Sequence, residues 1–187
     1  GAGTFVAAMP AEALTRFLRL HIALANFEFV DVVEARVTLE CSSVRLAAAA
    51  SDPGRLERAH VAMAAMDATT DRAEFNAADT DFHTAIAEAG GNRLVTAMTV
   101  AIRNAQRPGI LAAFNDIDDW SGLRAQLITE HRAILSAIEA GEVGRASDLA
   151  EQHIRDAYAR LPLLHRSRIQ AVVTTTPTDV GDTPGDG

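Results

Sequence analysis

Lysine is absent from this 187-residue chain, so all 17 basic side chains are arginines, set against 25 aspartates and glutamates for a formal net charge of −8. An acidic chain without a basic stripe is not expected to hold DNA strongly by itself, because that affinity rests on neutralising phosphates. Cysteine is nearly absent too. Cys41 stands alone, which excludes an internal disulfide, fits a reducing cytoplasm, and reads as a small buried apolar side chain. No run of about 18 apolar residues occurs, so no segment is expected to span a membrane. Gly1-Ala2-Gly3 lacks the charged start and apolar stretch of a signal peptide and reads as a cloning remnant opening a flexible start over residues 1–10. A first residue other than methionine also suggests a chain cut from something longer.

Aromatics are scarce at 5%, while 48% of residues are hydrophobic and 22% charged, a balance that suits an Ala and Leu-rich helical protein. No alternating strand pattern competes, and no internal repeat is visible. The length is enough for one domain with a sizeable core. Pro10 and Ala11-Glu12 start a first helix whose stripe, Leu14, Phe17, Leu18 and Ile22, runs to about Asn26. A second spans about Val30 to Ala50 and is stopped by Asp52-Pro53-Gly54. The third spans Gly54 to Ala68. Asp71 caps a fourth, which ends at Gly90-Gly91. Asn92 caps a fifth, with Leu94, Val95, Met98 and Ile102 inward, up to Pro108 or slightly beyond; Pro108-Gly109 leaves a kink or a split open. The sixth runs from Ser121 to Ala140 after Trp120, and the seventh from Val143 to about His165, past Pro162. Residues 169–187, rich in Thr, Pro, Asp and Gly, read as a disordered tail. The expected fold is all-α, an antiparallel bundle of six or seven helices over residues 11–168.

Chemistry concentrates in Asp79-Thr80-Asp81-Phe82-His83. Residues four apart stack on one face of a helix, so Asp79 and His83 can address one spot. His131 and His153 lie on the two helices flanking a turn at Glu142, each eleven residues from it. At about 1.5 Å per residue they stand side by side across an antiparallel pair, roughly 16 Å from the turn. All four lie on apolar faces: Leu127, Ile134 and Leu135 flank His131, Leu149, Ala150 and Ala157 flank His153, and Ile86 and Ala87 follow His83. Any one of these histidines reads as a hydrogen-bonded core residue, and an Asp–His pair as a plain ion pair. Four polar groups converging in an apolar bundle instead suggest a shared metal ion, since burying them without a partner costs several kcal/mol. Both readings stand at this level.

Other candidates are weaker. Arg36 reads as a surface charge paired with Glu40 at the i, i+4 spacing. Glu57 and His60 have the Glu-x-x-His spacing of di-iron bundles, but no second copy occurs and His60 reads as a surface residue. Arg103 and Asn104 either line a cavity or face solvent.

Val33-Glu34-Ala35-Arg36 with Leu39-Glu40, Asp79 to His83, Gly91-Asn92, Glu130-His131-Arg132-Ala133-Ile134 with Ala137-Ile138, and Ala150 to His153-Ile154 form an ordered set. In that set the chain resembles the FCD domain, the C-terminal effector-sensing half of FadR-type regulators in the GntR family, over about Ala11 to Leu161. The resemblance implies a buried metal and effector cavity. It assigns the metal ligands to Asp79, His83, His131 and His153, and turns Arg36 from a surface charge into the residue that meets an effector carboxylate, a task for which a guanidinium fork is suited. It also implies a homodimer and, in the full-length regulator, DNA binding through a winged helix-turn-helix for which Gly1 to Met9 has no room. The expectation is therefore a sensor fragment, cytoplasmic and not an enzyme. It holds a divalent ion, zinc or nickel before iron or manganese, and binds a small carboxylate through Arg36, with Arg103 and Asn104 as further lining. The rival readings are a metal-dependent hydrolase and a purely structural ion. Against the enzyme, Glu130 turns about 100° away from His131 on its helix, and no other carboxylate stands out as acid or base.

Overall fold

The computed structural model describes residues 11–24, 27–50 and 52–161. The expectations for residues 1–10, for Pro162 and for residues 169–187 fall outside these residues. Seven α-helices follow in order: α1 (Ala11–Leu24), α2 (Phe29–Ala50), α3 (Glu57–Ala68), α4 (Arg72–Ala89), α5 (Arg93–Asn115), α6 (Trp120–Glu139) and α7 (Val143–Ala159). Among the described residues there is no strand, and no helix is long and apolar enough to cross a membrane.

Helix starts are set by short polar side chains. Asp71 accepts from the amides of Ala73 and Glu74, and Asn92 from those of Leu94 and Val95, satisfying donors that the first turn leaves without partners. Asp119 does the same for Gly122. At the other ends the arginines take over. Arg124 donates to the carbonyls of Met66, Asp67 and Thr69, and Arg72 to those of Phe114 and Ile117. Cations favour the negative end of a helix, and here they also tie each end to another element.

Four sequence expectations change. The third helix opens as a 3₁₀ turn, Pro53–Leu56, capped by Asp52, and becomes α-helical only at Glu57. Pro108 neither splits nor ends α5, which continues to Asn115. The seventh helix stops at Ala159 rather than near His165, as fits a chain approaching Pro162, since proline disfavours helical geometry in the residue before it. Leu94 is 72% exposed, because it sits one residue inside the α5 start.

α2 is the central element and packs on α7, α4, α5 and α6. Val33, Val37, Cys41, Val44, Ala47 and Ala48 are all buried along it, so it faces protein on several sides. Gly90 permits the tight approach of α4's end, because a Cβ there would lie 2.9 Å from the Leu46 Cβ and 3.1 Å from the Ser43 carbonyl. α6 and α7 form an antiparallel hairpin whose turn uses Gly141 at φ 68°, a left-handed conformation that glycine adopts without strain. Phe75, Phe114 and Trp120 form an edge-to-face cluster at one end of the core, with the Trp120 indole N–H held by the Thr70 carbonyl at 2.8 Å. The hairpin, α4 and α2 together enclose the polar centre of the bundle.

Candidate metal and effector centre

Asp79 and His83 from α4, His131 from α6 and His153 from α7 meet in the interior, all four buried. Each offers a donor atom, and those atoms lie within 4.8 Å of one another. The equal spacing of His131 and His153 from the hairpin turn puts their rings 4.4 Å apart. His83 Nε2 is 3.1 Å from His131 Nε2, His131 Nε2 is 3.1 Å from Asp79 Oδ1, and His83 Nε2 is 3.8 Å from that oxygen. Donors on a tetrahedral ion bound at about 2.0–2.1 Å stand about 3.3 Å from each other, so the observed separations bracket the required one. Phe82 seals the floor, its ring 4.8 Å from His131 and 5.3 Å from His83.

Tautomers support the same fit. His83 Nδ1 donates to Glu40 at 2.8 Å and His153 Nδ1 to Glu130 at 2.8 Å. A carboxylate accepts only, so each of these nitrogens carries a proton, and in the neutral ring Nε2 is then the atom with a lone pair for a cation. His131 Nδ1 is buried with no partner among the described residues. Burial, followed by the nearby Arg103, pushes the His83 pKa down to about 3. Burial and then His153 lower that of His131. Neutral imidazole is the form that binds metal. Burial by itself would raise the Asp79 pKa, but Arg103, His131 and His83 outweigh it and hold the carboxyl well below its ordinary range.

Around these four sits a second layer that sequence spacing only partly revealed. Arg36 does pair with Glu40, Nε to Oε1 at 2.6 Å, but the two are 5% and 2% exposed, so the reading of a surface pair is overturned. Spacing along α2 gives the partner, whereas burial comes from the helices packed around α2. Arg36 Nη1 donates to the Tyr158 hydroxyl at 2.8 Å, and Gln106 accepts from that hydroxyl. Arg103 bridges Glu40, at 3.1 Å, and Asp79. Burial disfavours a charged Glu40, yet Arg103, Arg36 and His83 keep its pKa well below the ordinary value. Glu130 is turned away from His131, as its register requires, and from there it reaches His153 on the neighbouring helix and accepts from Arg160 at 3.1 Å. Tyr158 and Gln106 carried no sequence signal, and Glu40 showed only as the i, i+4 partner of Arg36 and as part of the family motif.

Two side-chain nitrogens in this layer, Arg103 Nε and Gln106 Nε2, are buried without an acceptor among the described residues. Asn104, by contrast, is half-buried and lines a different cavity, between α1, α4 and α5. His60 is exposed and pairs with Glu139 at 2.9 Å, and Cys41 is a buried free thiol. The centre is thus an Asp-His₃ cluster that can hold a metal ion, with guanidinium groups beside it. A comparison with curated proteins found no match. A comparison with protein-family models matches residues 31–156 to the FCD domain. The chain accordingly belongs to the FCD family, the C-terminal effector-binding domain of GntR-family transcriptional regulators.

Proposed function

We propose that this domain senses a small carboxylate at a divalent cation held by Asp79, His83, His131 and His153. The observation that carries the reading is the convergence of four ligand-type side chains from three helices, two of whose imidazoles are fixed by outer carboxylates. Imidazole and carboxylate donors suit zinc or nickel, then iron or manganese. The ion, when bound, supplies Lewis-acid affinity for an oxygen anion in the dry interior.

The chain's own residues prepare the rest. Arg36 commits Nε to Glu40 and Nη1 to Tyr158 and keeps Nη2 for an incoming carboxylate. Arg103 Nε and Gln106 Nε2 add buried donors that an anionic or hydroxylated ligand would satisfy. Asn104, which lines the other cavity, is not part of this set. Glu40 and Glu130 are both fully engaged, and neither is a free base, which favours sensing over hydrolysis. Ligand binding shifts how α2, α4 and α7 pack and so repositions DNA-reading heads in the full regulator, with a coupling of about 1–3 kcal/mol. We further propose a homodimer, for which exposed Phe17, Leu20 and Leu94 offer apolar surface. The regulator is a cytoplasmic protein on this reading, its sensor domain spanning residues 11–168.

Native mass spectrometry of protein purified without chelator, against Asp79→Ala and His131→Ala, tests the metal. The intact chain should carry about one divalent ion per protomer and the variants little. Equal content in all three removes the proposal. Calorimetric titration with small carboxylic acids then separates the alternatives: a sensor binds without turnover, an enzyme consumes its ligand, and a structural site ignores it.

A further inference from the structure

Arg16 and Arg19 on α1 and Arg107 on α5 line one cavity of about 510 Å³ together with Asn76 and Asn104. Among the described residues that line it none is acidic, although the chain as a whole carries −8. The volume suits a small molecule. The guanidinium groups of Arg19 and Arg107, turned to one space, favour a ligand with more than one negative charge.

The wall also offers an acceptor. Asn76 is 1% exposed; its Nδ2 donates to the Arg107 carbonyl at 3.0 Å, whereas its Oδ1 is buried without a hydrogen-bond partner among the described residues. Reversing this amide would set two oxygens against each other, so the Oδ1 demand cannot be removed by a flip. Pro108 lines the same cavity. A ligand suited to this wall brings anionic groups for the arginines and a hydroxyl donor for the Asn76 Oδ1.

We propose that this cavity is a second small-molecule site, for a hydroxylated polyanion: a hydroxy-polycarboxylate or a phosphate ester of a polyol. It lies about one helical turn from the Asp-His₃ centre, since Asn76 precedes Asp79 by three residues on α4 and Arg107 follows Arg103 by four on α5. Its chemistry is complete without a metal ion.

The test is calorimetric titration of the full chain after chelation and removal of the chelator, so the outcome is independent of any cation at the Asp-His₃ centre. Citrate and glycerol 3-phosphate probe the two sources of the chemistry, and tricarballylate is the analogue of citrate without the hydroxyl. At least one of the first two should bind, the tighter one identifying the source. Arg19→Glu and Arg107→Glu, both at exposed positions, should each weaken it about tenfold or more, while Arg45→Glu, the same charge change on exposed α2 surface, should leave it within about twofold. Circular dichroism verifies that each variant keeps its helices. Where citrate is the tighter ligand, tricarballylate should bind about tenfold more weakly. Absence of binding by both probes, equal loss in Arg45→Glu, or unchanged affinity in Arg19→Glu and Arg107→Glu would overturn the site. Tricarballylate binding as tightly as citrate would overturn the hydroxyl requirement.

Discussion

Replacing Glu40 by glutamine keeps the shape of the side chain and removes its charge at the point where most of the buried network converges. Glu40 is 2% exposed and accepts from Arg36 Nε at 2.6 Å, His83 Nδ1 at 2.8 Å and Arg103 Nη1 at 3.1 Å. In Glu40→Gln one amide oxygen can serve only part of these donors, and the amide NH₂ adds a donor where an acceptor is needed. Removing one partner of a buried ion pair costs about 3–5 kcal/mol because the other charge stays buried. Arg103 keeps Asp79, so the low end, about 3 kcal/mol, is expected. For a domain of this size about 2–4 °C accompanies each kcal/mol, giving a fall in Tm of about 6–12 °C. Chelated protein should be melted in parallel with Glu34→Gln, which breaks an exposed pair with Arg155 and should leave the midpoint nearly unchanged. Loss of the acceptor on His83 Nδ1 should in addition lower metal affinity about 10–100-fold. If Glu40→Gln melts with Glu34→Gln and retains the same metal, the role assigned to Glu40 is refuted.

Phe82 is fully buried against His83 and His131, so Phe82→Ala should destabilise the chelated protein by about 3–5 kcal/mol in urea unfolding; a loss below about 1 kcal/mol would contradict that packing. Asp71→Ala removes the cap of α4 and should cost about 1 kcal/mol, with metal content unaltered because the cap lies two turns from Asp79. Acid should weaken the metal-free fold. His83, whose folded pKa of about 3 lies below its ordinary 6.5, is neutral when folded but protonates when unfolded, so its contribution is complete above about pH 6.5 and is lost as pH falls toward 3. The lowered pKa values of Asp79 and Glu40 act with the same sign at lower pH. A midpoint that rises between pH 7 and pH 5 would exclude neutral His83.

Helical arithmetic reached the geometry of the centre because it depends on local rules. Four residues separate Asp79 from His83 on one helix face, and eleven separate each of His131 and His153 from Glu142; the rings meet as that register requires. Caps were legible for the same reason, as at Asp71 and Asn92. Depth was not. The spacing of Arg36 and Glu40 gives an ion pair on any helix, exposed or buried, and only the packing of α7, α4, α5 and α6 around α2 puts this one inside. Glu130 shows the limit from the other direction. Its angle from His131 was right, but the face it turned to belongs to α7, and a single helix's periodicity says nothing about which neighbour stands there. Pro108 could be read as a breaker, yet α5 keeps its course once tertiary contacts outweigh one lost backbone bond.

The charges of the inner layer explain why a cation and an anion belong together there. Arg36 and Arg103 balance Glu40 and Asp79, and Glu130 is matched by Arg160. The bare network is therefore close to neutral, which lets four ionised side chains remain buried at tolerable cost. A divalent ion added to it leaves an excess of about two positive charges in a region of low polarisability, where that excess attracts an anion far more strongly than at the surface. A carboxylate at Arg36 and the cation should each raise the affinity of the other by one and the same factor, since coupling between two binding events is reciprocal. Carboxylate titrations of loaded and chelated protein, set against metal titrations with and without the carboxylate, close that cycle. Factors of one would mean that the two do not share the centre and that Arg36 serves the fold alone.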